Sequence, residues 1–425
     1  MPPVARFLSY TLAAFLAFSQ TTSAFCGFYV ASSDTPLINK ASRVVLAYDG
    51  STTRVTMASD VHGDPKQFDL VIPVPTVIKK EQVKILNPAV DQHLADYTKP
   101  RLVQCFDEDP CAPPRPRVMY APSPTAMSAA PGSGSRREST VRIEEQYSVG
   151  EYDITVLTAT KPGDLVAYLN SNGYKIPPGA EATVGSYLRQ GMHFFLAKVN
   201  MARMKENTTG FLRPIQVTYA SPKFMLPIRL GMVNADGAQD MFVLALTKKG
   251  RVETVNYQTV KVPTGQNIPL FVEARFGQFY DAVFERQFAN SSSATFLEYA
   301  WNMGACDPCS APPLANVELQ ALGASWVPDN GWQQPAFVTR LHVRYDNAHF
   351  PEDLVLQETA DQQPFQARYV MQRPFTGNAD CRAGEAYKKG LPMRFAKEAE
   401  TLQAMTGWPP DMIRNEMKIT NQSFP

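Results

Sequence analysis

"RVVLAYDGSTTRVTMASDVHGDPKQFDLVIPVP", residues 43–75, decides how the fold is read. It contains three short runs with β-branched residues, "RVVLAYDG", "TRVTMASDV" and "QFDLVIPVP", punctuated by "DGST" and "HGDP". Glycine and aspartate between such runs are hairpin signals, so the stretch predicts an antiparallel sheet. "PAVDQHLADYT", residues 88–98, follows as a short helix with proline in its first turn.

Beyond it, residues 112–139 ("APPRPRVMYAPSPTAMSAAPGSGSRRES") lack hydrophobic periodicity and read as an exposed linker. After that, "VRIEEQYSVGEYDITVLTA" predicts a strand pair around a glycine, and "KPGDLVAYLNSNGYKIP" a helix stopped at Asn172-Gly173. "HFFLAKVNM", "LRPIQVTYA", "PIRLGMVN", "DMFVLALTKKG" and "GRVETVNYQTVKV" form a strand-rich middle. In "EARFGQFYDAVFERQFAN", Phe276, Phe279, Tyr280, Val283, Phe284 and Phe288 fall at helical spacing and predict one broad core-facing side. "AFVTRLHVRYD" and "ARYVMQRP" predict two more strands. A helical region follows from about Cys381, broken near Gly390-Leu391-Pro392. No repeat of 20–50 residues is visible. Strands outnumber helices without βαβ alternation, so the expected class is α+β: mostly antiparallel sheets, a few packed helices, and two sub-domains joined by the Pro/Ser/Gly-rich linker. The expected boundaries are 25–111, 112–139 and 140–425.

Residues 1–24 read as a cleaved signal peptide: Arg6, the apolar "FLSYTLAAFLAF", then "TTSA" with cleavage after Ala24. No later run reaches the roughly 18 apolar residues of a membrane helix, so the mature chain is expected to lack a transmembrane segment. Lys+Arg number 41 and Asp+Glu 40. That balance argues against a nucleic-acid partner, which requires a basic surface. Export sets the reading of cysteine, because an oxidising compartment favours disulfides. Short loops close most easily, so Cys105 is paired with Cys111 and Cys306 with Cys309. Cys26 and Cys381 pair by elimination.

Several stretches, "GDPKQFDLVIPVP", "EEQYSVGEYDITVLTA", "LNSNGYKIPPGAE", "LRPIQVTYASPKFMLPIRLGMVN", "FLEYAWNMGACDPC" and "TRLHVRYD", together resemble a family of exported bacterial proteins, domain of unknown function 2330. The resemblance implies export and one architectural unit over 25–425. It supplies no catalytic residue to carry over.

The candidate chemistry is sparse. "CDPC", Cys306 to Cys309, has the spacing of a thiol oxidoreductase, but Pro312 and Pro313 would fall inside the helix such a site needs at its first cysteine. Asp307 would also repel a thiolate. A structural disulfide is favoured over redox catalysis or a zinc site shared with Cys105 and Cys111. Asp107 to Pro110, "DEDP", lacks the ligand spread of a calcium loop and reads as a solvated turn. The histidines His62, His93, His193, His342 and His349 are scattered, with no H-x-x-x-H or G-x-S-x-G motif. In "FVTRLHVRY", alternation puts Arg340, His342 and Arg344 on one face with Val338. They form either an anion-binding stripe or, the preferred reading, the wet face of a half-buried strand.

The expectation is an exported protein, periplasmic or extracellular, that acts as a non-catalytic, disulfide-clasped binding or structural module for an unknown envelope partner or ligand. It has no cofactor and no metal. The alternative is an extracytoplasmic enzyme, a hydrolase or a thiol-disulfide oxidoreductase using Cys306 and Cys309. A deep pocket gathering polar side chains from distant segments would favour the enzyme.

Overall fold

A computed structural model describes residues 28–30, 38–62, 69–112, 141–172, 174, 179–204, 212–233, 237–305, 307, 312–329 and 336–424. The hairpin expected at the start is present. Ile38–Tyr48 and Thr52–His62 pair antiparallel, with Val44 opposite Met57 and Leu46 opposite Val55. Asp49 closes the turn by accepting from the backbone N–H groups of Ser51 and Thr52, and Gly50 takes the left-handed φ of 102° that the turn requires.

The third run leaves this sheet. Asp69–Val74 pairs with His193–Val199 in a five-stranded antiparallel sheet ordered Phe28–Val30, Asp69–Val74, His193–Val199, Tyr152–Thr158, Arg142–Val149. The hairpin belongs to a nine-stranded sheet, in which it lies between Gln239–Thr247 on one side and Ile215–Ala220 on the other. Phe337–Tyr345, Ala294–Asn302 and Gln258–Lys261 continue that sheet beyond Gln239–Thr247.

The two sheets pack face to face, and the period-two alternation of strands sorts the side chains. Leu70, Ile72 and Val74 meet Val44, Leu46, Val55 and Met57 in the shared core. Val71 points the other way, into a cluster with Leu165 and Leu169 of helix Pro162–Ser171 and Val184 and Tyr187 of helix Ala180–Arg189. On the outer face of the large sheet, Val45, Ala47, Leu244, Leu246 and Val338 are covered by helix Pro88–Thr98 and the short helix Asn316–Ala321. A further cluster joins helix Phe276–Asn290 to helices Arg382–Thr406 and Pro410–Ile419 and to strand Arg368–Arg373.

The class is α+β, as expected. The strands before and after residues 112–139 share sheets: Ile38–Tyr48 runs parallel to Gln239–Thr247, and Arg101–Phe106 runs parallel to Arg368–Arg373. Residues 113–140, almost all of the expected linker, lie outside the described residues, as do residues 1–24, the expected signal peptide. Two expectations need correction: "PIRLGMVN" is not a strand, since Arg229–Met232 forms a short helix, and the second concerns the C-terminal region. The C-terminal helix is not broken at Gly390-Leu391-Pro392 but runs unbroken from Arg382 to Thr406, with Pro392 inside. Proline there forfeits a single backbone bond, while Phe395, Ala399 and Leu402 beyond it are held in the core.

Candidate functional site

Arg340, His342 and Arg344 form neither a solvated face nor an open anion stripe. Arg340 and His342 are each only 6% exposed. Helices Pro88–Thr98 and Phe276–Asn290 cover them: Arg340 donates to the carbonyl of Ala95 at 3.1 Å, and the ring of Phe284 stacks on His342 at 3.6 Å between centroids. Phe242 on the neighbouring strand closes the other side, 4.5 Å from the imidazole and 4.3 Å from the Arg340 guanidinium.

Two carboxylates make this possible, Glu298 fully buried and Asp240 half-buried. Leu297 lies opposite Leu341, yet Tyr299 lies opposite Arg340, so Glu298 is an extra residue, a β-bulge. The bulge seats its carboxylate where Arg340 Nε reaches Oε2 at 2.6 Å and His342 Nδ1 reaches Oε1 at 2.9 Å. The hydroxyl of Tyr280, from the covering helix, donates to the same Oε1. Asp240 lies opposite Arg344 in the strand register and accepts from its Nε and Nη2, both at 2.8 Å. His342 Nε2 lies 3.3 Å from Asp240, and Arg344 extends to Glu285 on the helix.

Both ring nitrogens of His342 therefore face ionised carboxylates, which only accept, so the ring is an imidazolium. Burial alone would lower the His342 pKa, but Glu298 and Asp240 together raise it. Burial likewise pushes Glu298 and Asp240 up, and the neighbouring cations overturn this, holding each down to about 2. The result is a closed chain of alternating charge, Tyr280–Glu298–Arg340/His342–Asp240–Arg344–Glu285. It joins three strands to a helix.

The cysteines also differ from expectation. Cys111 pairs with Cys381, with Cα atoms 5.9 Å apart, and Cys105 is a free, partly exposed thiol. The expected Cys105–Cys111 and Cys26–Cys381 pairs are therefore incorrect. The reason is that the chain does not turn after Cys105: the Asp107 N–H still bonds the Arg373 carbonyl. It turns only where Asp109 caps Cys111 and Ala112, at the first turn of helix Arg382–Thr406, where Cys381 Sγ accepts from Gly384 N–H. In "DEDP", Asp107 is tied to the fold, accepting from Gln372 and Arg394 at 2.6 Å each and from Tyr387 at 2.5 Å, while Glu108 and Asp109 are exposed and lead into the turn that the Cys111 disulfide closes.

Cys26, Cys306 and Cys309 lie outside the described residues. Of the two residues between the last two, Asp307 is described: it turns inward and accepts from Tyr299 at 3.0 Å and Gln366 at 2.9 Å. Just beyond, the Pro312 carbonyl lies 3.0 Å from His93 Nε2, while His93 Nδ1 is 2.9 Å from Glu318. These two anchors tie both sides of "DPCSAP" to the fold. His193 bonds Thr158 in a site where burial lowers its pKa, and His349 bonds Asp346 in its own turn. His62 ends its strand. No group of three or more His, Cys, Asp or Glu among the described residues is arranged to hold a metal.

An open concavity lies elsewhere, between the two sheets. It is a cleft of about 220 Å³ whose walls are Pro75, Met192, Tyr219, Pro222, Met225 and Pro227, with Gln190, Ser221 and Lys223. Pro75 follows strand Asp69–Val74 of one sheet, and Tyr219 belongs to strand Ile215–Ala220 of the other, so the cleft marks the seam of the sandwich. Among the described residues that line it there is no imidazole and no carboxylate. Sequence reading gave no signal for it, because prolines and methionines carry no motif. The only hint was that both of its main stretches, "LVIPVP" and "TYASPKFMLP", fall within the segments that carry the family resemblance.

No curated protein and no solved structure matches the chain. A family model described as an uncharacterised protein conserved in bacteria matches residues 20–357, a span that includes the charge chain and the cleft but ends before Cys381. The chain belongs to that family, DUF2330.

Proposed function

We propose that the protein is exported to the cell envelope and acts there as a non-catalytic binding module, with the cleft between the two sheets as its binding surface. The cleft itself carries this reading: it is an open, mostly apolar concavity with a few polar groups, the usual form of a ligand site. A catalytic site would bring acids and bases into such a space. Here the convergence of histidine and carboxylates is sealed beneath helix Phe276–Asn290 instead. The Cys111–Cys381 disulfide supports an oxidising compartment. No helix among the described residues is long and apolar enough to cross a membrane.

Binding is tested by titrating toluene into isotope-labelled protein. Amide shifts should concentrate at Met192, Tyr219 and Met225 and disappear in Met225→Trp, which fills the cleft. Shifts scattered over the surface, or identical in the variant, would remove the cleft as the site. Export is tested by sequencing the N-terminus of envelope-fraction protein, which should begin at Phe25. Membrane-bound protein retaining Met1 would contradict it. Catalysed reduction of a test disulfide that depends on Cys306 and Cys309 would replace the binding module with an oxidoreductase.

A further inference from the structure

We infer that the cleft takes a small organic carboxylate: one negative charge on an apolar body about the size of a single aromatic ring. This rests on the cleft being the binding surface, and it adds the chemistry of the ligand.

Size comes first. An apolar cavity of roughly 150 Å³ holds benzene, so about 220 Å³ admits one ring with a short acidic arm but no peptide or sugar chain. The walls set the body's polarity, with three prolines, two methionines and a tyrosine around it.

Charge comes second. Lys223 is the only charged residue among the described residues of the lining. It is exposed, and no carboxylate among the described residues pairs with it. Its backbone is held by the Ser-Pro-Lys turn: Ser221 Oγ donates to the Lys223 carbonyl at 2.9 Å and accepts from the Lys223 N–H at 3.1 Å. A lone ammonium at the mouth of an apolar cleft complements a single negative charge on a ligand whose body lies inside.

The backbone excludes a phosphate. Phosphate sites are built from several free N–H groups converging on one point. Pro75, Pro222 and Pro227 have none to give. The N–H groups of Gln190 and Met192 already donate to the Tyr187 carbonyl, and that of Ser221 to the Ser51 carbonyl. A dianion would find one ammonium and no such cradle.

The test uses four ring compounds on the full chain, read by calorimetry and by the same amide shifts: phenylacetate, phenylacetamide, phenyl phosphate and phenethylamine. Phenylacetate should bind at least tenfold tighter than phenylacetamide. Phenyl phosphate should be weaker than phenylacetate, and phenethylamine should not bind. Lys223→Gln, at an exposed position, should keep the fold and bring acid and amide to equal affinity, and Met225→Trp should remove both. Equal binding of acid and amide to the parent, or a preference that survives Lys223→Gln, would overturn the carboxylate while leaving the cleft a binding site. Tighter phenyl phosphate would overturn the choice of anion. If no ring compound perturbs Met192 or Met225, the binding surface itself is wrong and the inference falls with it.

Discussion

The charge chain under helix Phe276–Asn290 and the cleft at the sandwich seam are opposites. The first holds the residues a chemist would select, an imidazolium between two carboxylates with arginines beside it, and every charge in it is answered from within. The second is walled by residues that carry almost no chemistry, and Lys223, the one charge among its described lining residues, pairs with no carboxylate among the described residues. Buried ion pairs are held by mutual compensation, because removing one partner strands the other in a poor solvent. An exposed lysine on a turn has no such obligation, since water solvates it. The difference shows that reactive residue types gathered in space do not mark a site unless some valence is left for a visitor.

Substitutions should separate the two regions. Arg340→Met leaves Glu298 facing Tyr280 and His342 alone, and uncompensated buried charges typically cost about 3–5 kcal/mol. Chemical denaturation should show a loss of that order; a loss below about 1 kcal/mol would mean that water reaches the carboxylate and that the chain of charge is not closed. Replacing Cys111 and Cys381 by serine comes next. Loss of a native disulfide commonly costs about 2–5 kcal/mol, and this one closes a separation of 270 residues. A melting point unchanged by the double variant would show that Asp107 and its partners hold this corner without it.

The third test is pH. Burial raises the pKa of Glu398 to about 7, with Arg394 and Gln422 opposing only in part. A carboxyl raised on folding favours the native state while neutral, so its contribution is full below the ordinary glutamate range near 4.3 and is lost as pH rises through about 7. The imidazolium of His342 has the same sign: its raised pKa gives stability present below the ordinary histidine range and lost as pH climbs through the raised value. Stability should therefore fall from pH 5 to pH 9, and Glu398→Gln should recover about 1–3 kcal/mol at the alkaline end. A profile unaffected by that variant would place Glu398 in water. The smallest effect belongs to the cleft: Lys223→Gln should change stability by less than about 0.5 kcal/mol while altering ligand preference.

Sequence alone reached the partition of Phe337–Tyr345 into two faces, because alternation is a local property of a strand. It could not tell that both faces are covered, since the covering helices come from residues 88–98 and 276–290 and meet the strand only in three dimensions. One signal was available and passed over. Glu298 stands alone among apolar residues in "ATFLEYAWN", and an acid in such a run needs a buried cation. The disulfide error has the opposite origin. Loop entropy favoured Cys105 with Cys111, but parallel pairing with Arg368–Arg373 keeps Arg101–Phe106 extended and carries Cys111 away. A long-range sheet contact, which sequence spacing does not record, outweighed the short loop.

That same sheet topology governs when the protein can become itself. The hairpin Ile38–His62 can close early, but its native neighbours are Ile215–Ala220 and Gln239–Thr247, and Arg101–Phe106 must wait for Arg368–Arg373. A chain emerging from the ribosome, or threading extended through a pore, presents open strand edges until most of its length has appeared. Contacts of such long sequence separation form slowly, and unpaired edges invite association with other chains. The edges of the hairpin Ile38–His62 therefore stay open until synthesis has passed residue 247, and that of Arg101–Phe106 until it has passed residue 373.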